Sequence, residues 1–130
     1  MPSKRVFKTR TFARWAKRVL ADEALCRAAR EIEAGRFEAD LVGGVCKKRV
    51  ALAGQGKSGS TRTLVAKQNA YAIIFLGGRE KSDPGNDFSM NEVNAAKIVA
   101  KGLEKADDKR LTNLADIGSL VEICDGKKKI

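Results

Sequence analysis

The chain has 130 residues, of which 43% are hydrophobic and 5% aromatic, and this predicts one domain, residues 1–130, with a modest aliphatic core. The sequence has no histidine, no run of about 18 apolar residues and no apolar block behind its first charges. The absence of histidine excludes histidine catalysis. From the other two absences we expect no membrane span, no signal peptide and a cytoplasmic protein.

The N-terminal part of the sequence predicts a short strand followed by two amphipathic helices. Val6–Lys8 predicts the strand, and Thr11 and Asp22 are expected to cap the two helices. Gly35 is expected to end the second helix. The apolar residues of each helix recur every three or four positions: Phe12, Trp15, Ala16 and Val19 in the first, and Leu25, Ala29 and Ile32 in the second. Two such helices in succession predict a helical hairpin packed on a larger element.

Residues Val45–Ala53 alternate in character, as in a strand with one buried side. The expected core side consists of alternate residues, Cys46, Lys48, Val50 and Leu52. Lys47 and Arg49 are therefore expected to stand together on the opposite, exposed face.

A turn and a β-hairpin are predicted to follow this strand. The segments are, in order, a mobile turn at Gly54–Ser60, strands at Ser60–Lys67 and Tyr71–Leu76, and their connection Gln68-Asn69-Ala70. Ala72–Leu76 is continuously apolar, which indicates a strand buried on both faces. Gly77-Gly78 is expected to end that strand.

The C-terminal third predicts two helices and a last strand. Ser89 and Glu92 have the spacing of a capping box, so a helix is expected from there to about Ala106. The other predicted features are a loop at Ser82–Asp87, a short helix capped by Thr112 and ended by Gly118, a strand at Leu120–Cys124 and a frayed basic tail at Lys127–Lys129.

The three cysteines, Cys26, Cys46 and Cys124, are odd in number and widely spaced. No Cys-x-x-Cys pair is present, and there is no histidine to complete a metal site. We therefore expect three buried or half-buried free thiols and no metal or other cofactor.

Gly54-Gln-Gly-Lys-Ser58 resembles the end of a phosphate-binding P-loop. The first glycine of that motif would fall at position 51, which is alanine, and the residues after Ser58 predict a strand where the motif needs a helix. We therefore do not expect nucleotide hydrolysis. Lys57 is interpreted as a cation on a flexible loop at the edge of a basic face.

The positive charge is concentrated in two segments that contain no acidic residue. Met1–Arg18 and Leu41–Arg79 each carry seven Lys or Arg residues, within a net charge of +10 at pH 7. Such segregation favours a polyanion or an acidic protein as partner. If the predicted strands are neighbours, Arg62 and Arg79 lie beside Lys47 and Arg49, and the four cations can grip phosphates together.

Two runs in the middle of the chain, Asp40–Ala51 and Gly54–Ala66, resemble the RelE-type toxins of bacterial toxin–antitoxin modules, especially the HigB-like branch. Lys8–Ala16 and Glu33–Phe37 are similar to the same branch. The similarity extends from about Arg5 to Ile123, and its central motif places two glycines and an arginine at fixed offsets between two strands.

The resemblance implies an α+β fold in which two N-terminal helices pack on a small antiparallel β-sheet, with a C-terminal helical segment. It also implies metal-independent cleavage of mRNA on the ribosome, and a cognate antitoxin of helix-turn-helix type as protein partner. The residues that match the catalytic basic positions of the family are Lys47, Arg49, Arg62 and Arg79. Lys48, Lys57 and Lys81 are the expected RNA-binding residues.

Two alternatives remain open at the level of sequence. Some RelE toxins use a tyrosine near the C-terminus, whereas the only tyrosine here is Tyr71, inside the predicted hairpin. A non-catalytic RNA- or ribosome-binding repressor on the same fold is therefore one alternative. A ParE-like toxin directed at gyrase is the other.

Overall fold

The computed structural model describes residues 3–52, 56–80, 83, 85 and 87–124. Within these residues the chain forms six strands and four helices. They are, in chain order, β1 (Arg5–Thr9), α1 (Arg10–Ala16), α2 (Asp22–Glu33), β2 (Ala39–Asp40), β3 (Val45–Leu52), β4 (Gly56–Ala66), β5 (Ala72–Arg79), α3 (Met90–Leu103), α4 (Asp108–Asp116) and β6 (Leu120–Ile123).

The described strands form one mixed sheet in the order β2-β3-β4-β5-β1-β6. Neighbouring strands are antiparallel except β1 and β5, which run parallel. The predicted α+β class is confirmed. The sheet is larger than expected, because the first strand is inserted between β5 and the last strand, where it pairs with both.

Helices cover both faces of the sheet and bury one core on each. On one face, α1 and α2 bury residues such as Phe12, Leu25 and Ile32 against the sheet, as predicted for the N-terminal helices. On the other face, α3 and α4 bury a second set that includes Ala96 and Leu111. The strand β5 contributes alternate residues to the two cores: Ile73 and Phe75 to the first, Ala72 and Ile74 to the second. The prediction that β5 is buried on both faces is thus confirmed.

The starts of the two N-terminal helices differ from their predicted caps. The α1 cap is Thr9, whose hydroxyl accepts from the Phe12 amide at 3.1 Å, because β1 runs directly into the helix and Thr11 already lies in its first turn. The helix α2 begins at Asp22 itself, after Ala21, which makes no side-chain cap bond. Gly35, with φ of 84°, ends that segment as predicted.

Strands extend into two glycine-rich segments in which chain breaks were predicted. The strand β4 begins at Gly56, so the predicted turn overlaps its first residues, and residues 53–55 lie outside the described part. Since β4 continues through Ser58, no helix follows the P-loop-like segment. The strand β5 continues through Gly77-Gly78 to Arg79, because Gly78 leaves room for the ring of Trp15.

The C-terminal elements agree with the prediction in order but not in every boundary. The capping box of Ser89 and Glu92 is present, with reciprocal hydrogen bonds of 2.7 and 3.1 Å, and α3 ends at Leu103. The cap of α4 is Asp107 and not Thr112, which lies inside that helix. Gly118 follows α4 with φ of 83°. The predicted loop is described at residues 83, 85 and 87, and the predicted basic tail lies outside the described residues.

The prediction of three free thiols is wrong for two of them. Cys26 of α2 and Cys124, which follows β6, form a disulfide with a Cα–Cα distance of 5.6 Å. Both half-buried side chains pack against the α1/α2 core, which brings together residues separated by 98 positions in the chain. Cys46 is a buried free thiol as predicted, and burial raises its pKa to about 12.

Among the helices of the described residues, none combines the length and apolar character needed to cross a bilayer.

Candidate functional site

Three arginines stand directly opposite one another on three neighbouring strands. Arg49 of β3 pairs with Arg62 of β4, and Arg62 pairs with Arg79 of β5. Directly opposed residues of antiparallel strands point to the same face, and like charges in such positions repel. We call Arg49, Arg62 and Arg79 the arginine row. An anion bound across the row would offset this repulsion.

The arginine row lies on the face of the sheet that carries α3. Lys47 is the cross-strand partner of Leu64, which belongs to the core covered by α3 and α4. Lys47 lies two residues from Arg49 on β3, and Leu64 lies two residues from Arg62 on β4. Lys47 and Arg49 therefore share this face, as strand alternation predicted. The side chains of the row differ in exposure: Arg49 is exposed, Arg62 half-buried and Arg79 buried.

Lys47 forms an ion pair with Asp87, a residue that precedes α3. Burial alone would raise the pKa of Asp87. The hydrogen bonds from Lys47 and from the Phe88 amide, together with the charges of Lys47 and Arg62, outweigh burial and hold that pKa below its usual value. Asp87 is therefore a carboxylate at neutral pH, placed within the field of two cations of this face.

Arg79 connects the row to the segment that leads into α3. Its Nη2 donates to the carbonyl oxygens of Asp83 and Gly85, at 3.2 and 3.1 Å. The Glu80 amide donates to the Asp83 carboxylate at 2.8 Å. Arg79 thus supplies its charge from a buried position and also holds the chain beside the row.

Of the three predicted RNA-binding lysines, the structure describes the side chain of Lys48 alone, and it lies apart from this group. Lys48 points to the opposite face, where its buried ammonium donates to the Arg36 carbonyl at 3.1 Å and pairs with Glu31 at 2.7 Å. It therefore ties β3 to α2. Lys57 lies in β4, but its side chain is outside the description, and Lys81 is outside the described residues.

Asp87 and Phe88 are the site residues that the sequence reasoning missed. Together with Lys47 and Val93 they line a small cavity of about 250 Å³ beside the row. The signal that could have located Phe88 is the hydrophobic staple, in which the residue before a helix cap packs against the fourth helical residue. Phe88 and Val93 occupy those two positions around Ser89.

The fold and this site define a small α+β protein with a cationic sheet face beside a helix. A family model described as RelE toxin of RelE / RelB toxin-antitoxin system matches residues 4–123. The chain belongs to this family of toxins, and its partner is accordingly an antitoxin. No curated protein shows significant similarity to the chain.

Proposed function

We propose that this toxin inhibits translation in the cytoplasm by cleaving mRNA on the ribosome. Lys47, Arg49, Arg62 and Arg79 are its catalytic basic residues in this proposal. The observation that carries it is the arginine row, three arginines that are cross-strand partners on the face that also holds Lys47. Guanidinium groups bind phosphate oxygens in a bidentate geometry, and a row of them matches a chain of phosphates.

The chemistry needed is attack of a ribose 2′-hydroxyl on the adjacent phosphate. Negative charge then develops on the phosphate oxygens, and fixed cations stabilise that charge without reorganising. In this proposal Arg62, at the centre of the row, has this role, and buried Arg79 adds a charge from the neighbouring strand. The exposure of Arg49 supports a contact with a neighbouring phosphate.

Proton transfer is the part that the arginines do not supply. Asp87 and Lys47 form an ion pair on the same face as the row, and in this proposal the carboxylate accepts a proton and the ammonium donates one. The ribosome would orient the substrate at such a site, and orientation alone supplies a large part of a rate enhancement.

The kind of antitoxin belongs to the same proposal. The resemblance of Asp40–Ala51 and Gly54–Ala66 to the HigB-like branch supports membership of that branch. It therefore supports an antitoxin of helix-turn-helix type. A basic protein of net charge +10 also favours an antitoxin segment with acidic side chains.

A non-catalytic RNA- or ribosome-binding repressor is the second candidate, and the position of Tyr71 favours it. Tyr71 precedes β5, whereas Arg79 is the last residue of that strand. At about 3.3 Å per residue, roughly 25 Å separates them, so the tyrosine cannot serve the row in acid–base catalysis.

Induced expression followed by mapping of mRNA 5′ ends separates the candidates. We expect cuts in phase with codons that disappear in Arg62→Ala and persist in Arg27→Ala. The control residue is an exposed arginine of α2, the helix that covers the opposite face of the sheet. Translation arrest with intact mRNA would support the repressor, and DNA damage with neither effect would support a ParE-like toxin.

A further inference from the structure

A cavity of about 620 Å³ lies between α3 and the sheet, on the same face as the arginine row. Its volume is in the range of sites that bind nucleotide-sized ligands. Gly77 of β5 and Ala95 of α3 both line it, and their small side chains leave space between helix and strand. A Cβ atom at Gly77 would have only Leu64 Cδ1, at 3.8 Å, as a neighbour.

The sheet is irregular where the cavity lies. The pairing of β4 with β5 shifts between Leu64 and Val65, so Leu76 is an additional residue on β5 at this point. Such bulges redirect side chains and are frequent beside functional sites. The bulge and the two small residues together explain why the helix does not close on the sheet here.

The cavity lies one step along the strands from the arginine row. Leu64 and Gly77, which line it, are cross-strand partners and lie two residues from Arg62 and Arg79. Alternate residues of a strand are about 7 Å apart, which is comparable to the span from a phosphate to the base of its own nucleotide. A phosphate on the row would therefore place its base at this cavity.

The lining has the chemistry of a base-binding site. Most of it is apolar, and the half-buried ring of Phe88 forms part of the wall. Bases of single-stranded RNA stack on aromatic rings and are recognised through hydrogen bonds to their edges. Thr11 and Ser119, which also line the cavity, carry hydroxyl groups that can make such bonds.

We propose that this cavity receives one base of the RNA whose phosphate lies on the arginine row. The toxin would then select a position in its RNA by a base as well as by charge. The inference rests on the proposed RNA-binding function and adds a site on α3 and β5 to it. The occupant is a nucleobase because the cavity lies two residues along the strands from the cations proposed to hold its phosphate.

The test measures binding of the full-length protein to a short, fluorescently labelled single-stranded RNA. All riboses carry 2′-O-methyl groups, which blocks the proposed cleavage. A single abasic position is moved along the RNA in a series of otherwise identical molecules. We expect one abasic position to weaken binding by about 10-fold or more, since a stacked base contributes that much, while the other positions have smaller effects.

Two variants locate the effect in the cavity. The substitution Ala95→Trp fills the cavity from an exposed position of α3. We expect the variant protein to bind every RNA of the series with about the same affinity. Asn94→Trp is the matched control, because Asn94 is exposed on the same helix and does not line the cavity. Phe88→Leu removes the ring but keeps an apolar side chain, and we expect it to reduce the penalty at the same abasic position. It provides an independent test if Ala95→Trp does not fold.

The outcomes distinguish this inference from the function on which it rests. RNA binding that depends on salt and on Arg62, with equal affinity for all abasic RNAs, would overturn the base site alone. Absence of RNA binding to the unmodified protein would overturn the base site, whereas the proposed function is overturned separately, by the absence of codon-phased cuts in cells. A different result is an Ala95→Trp variant that keeps the affinity differences between abasic RNAs shown by the unmodified protein and binds the antitoxin more weakly. That result would assign the cavity to the protein partner and would also overturn the base site.

Discussion

The ring of Trp15 lies directly against the backbone of Gly78. A Cβ atom added at Gly78 would come within 2.1 Å of Trp15 Cζ3. The same indole contacts Phe12 with a centroid distance of 5.3 Å, so the close approach fixes how α1 sits on β5. Since the next residue is Arg79, the position of the helix and the end of the arginine row are coupled through one glycine.

Gly78→Ala is expected to destabilise the protein by about 1–3 kcal/mol, because the methyl group would force the indole out of its position. Urea unfolding followed by circular dichroism measures the change. Gly102→Ala is the control: a Cβ at Gly102 has no neighbour within 4 Å, and alanine is the better helix former. Equal effects of the two substitutions would contradict the packing described for Trp15.

Asp87→Asn is expected to strengthen RNA binding several-fold, because it removes a negative charge from the field of Lys47 and Arg62. If Asp87 also accepts the proton in cleavage, the same variant cleaves more slowly although it binds more tightly. Fluorescence anisotropy and a single-turnover cleavage assay separate the two effects. Asp116→Asn makes the same charge change at an exposed position of α4, next to β6 at the other end of the sheet. We expect this control to leave RNA binding and the cleavage rate unaltered.

The contribution of Asp87 to stability is expected to depend on pH. Its pKa is lower in the folded protein than in the unfolded chain, so the ion pair with Lys47 stabilises the fold above the unfolded pKa of about 3.9. This stabilisation is lost as the pH falls through the lower pKa of the folded state. Free energies of unfolding of the wild type and Asp87→Asn, measured from pH 7 to pH 2.5, should therefore converge at the acid end.

The cysteine arrangement predicts a definite count of reactive thiols. Alkylation in denaturant without reductant should label one cysteine per chain, Cys46, and alkylation after reduction should label three. In the folded protein Cys46 should react slowly, because burial raises its pKa to about 12. Mass spectrometry gives each count directly. Three labels before reduction of the air-oxidised protein would contradict the Cys26–Cys124 bond.

Asn69 is expected to be among the least replaceable polar residues. Its buried amide nitrogen donates to the carbonyls of Leu103, Glu104 and Ala106, at 2.8, 3.3 and 2.8 Å, and its oxygen accepts from the Tyr71 amide. Asn69→Asp replaces the donor with an acceptor facing three carbonyl oxygens, and should destabilise the protein by about 3 kcal/mol or more. Thermal unfolding of this variant and of Asn94→Asp, at an exposed position, provides the comparison.

Local patterns predicted the elements well and their mutual placement less well. Strand alternation correctly separated Lys47 and Arg49 from Lys48, because the face of a side chain depends only on its parity within the strand. The alignment of Arg49, Arg62 and Arg79 could not be derived in this way. The pairing of Arg62 with Arg79 includes the shift in register between Leu64 and Val65, which counting alternate residues along one strand does not predict.

Long-range partners were the other part that the sequence left open. Cys26 and Cys124 are separated by 98 positions, and spacing alone does not distinguish a pair brought together by the sheet from two isolated thiols. The role of Asp87 was missed for a similar reason. A residue in a predicted loop reveals its partner, here Lys47, only once the helix that follows has been placed.

The position of β1 between β5 and β6 determines how early during synthesis the sheet can be completed. The first strand of the chain can complete its two ladders only when the last strand is available, and β6 ends at Ile123. A ribosome that is still translating the gene thus carries a chain whose sheet lacks its closing strand. The sheet is therefore completed only after Ile123 has been synthesised, and the arginine row, on β3, β4 and β5, leaves the ribosome before the strand that closes its sheet.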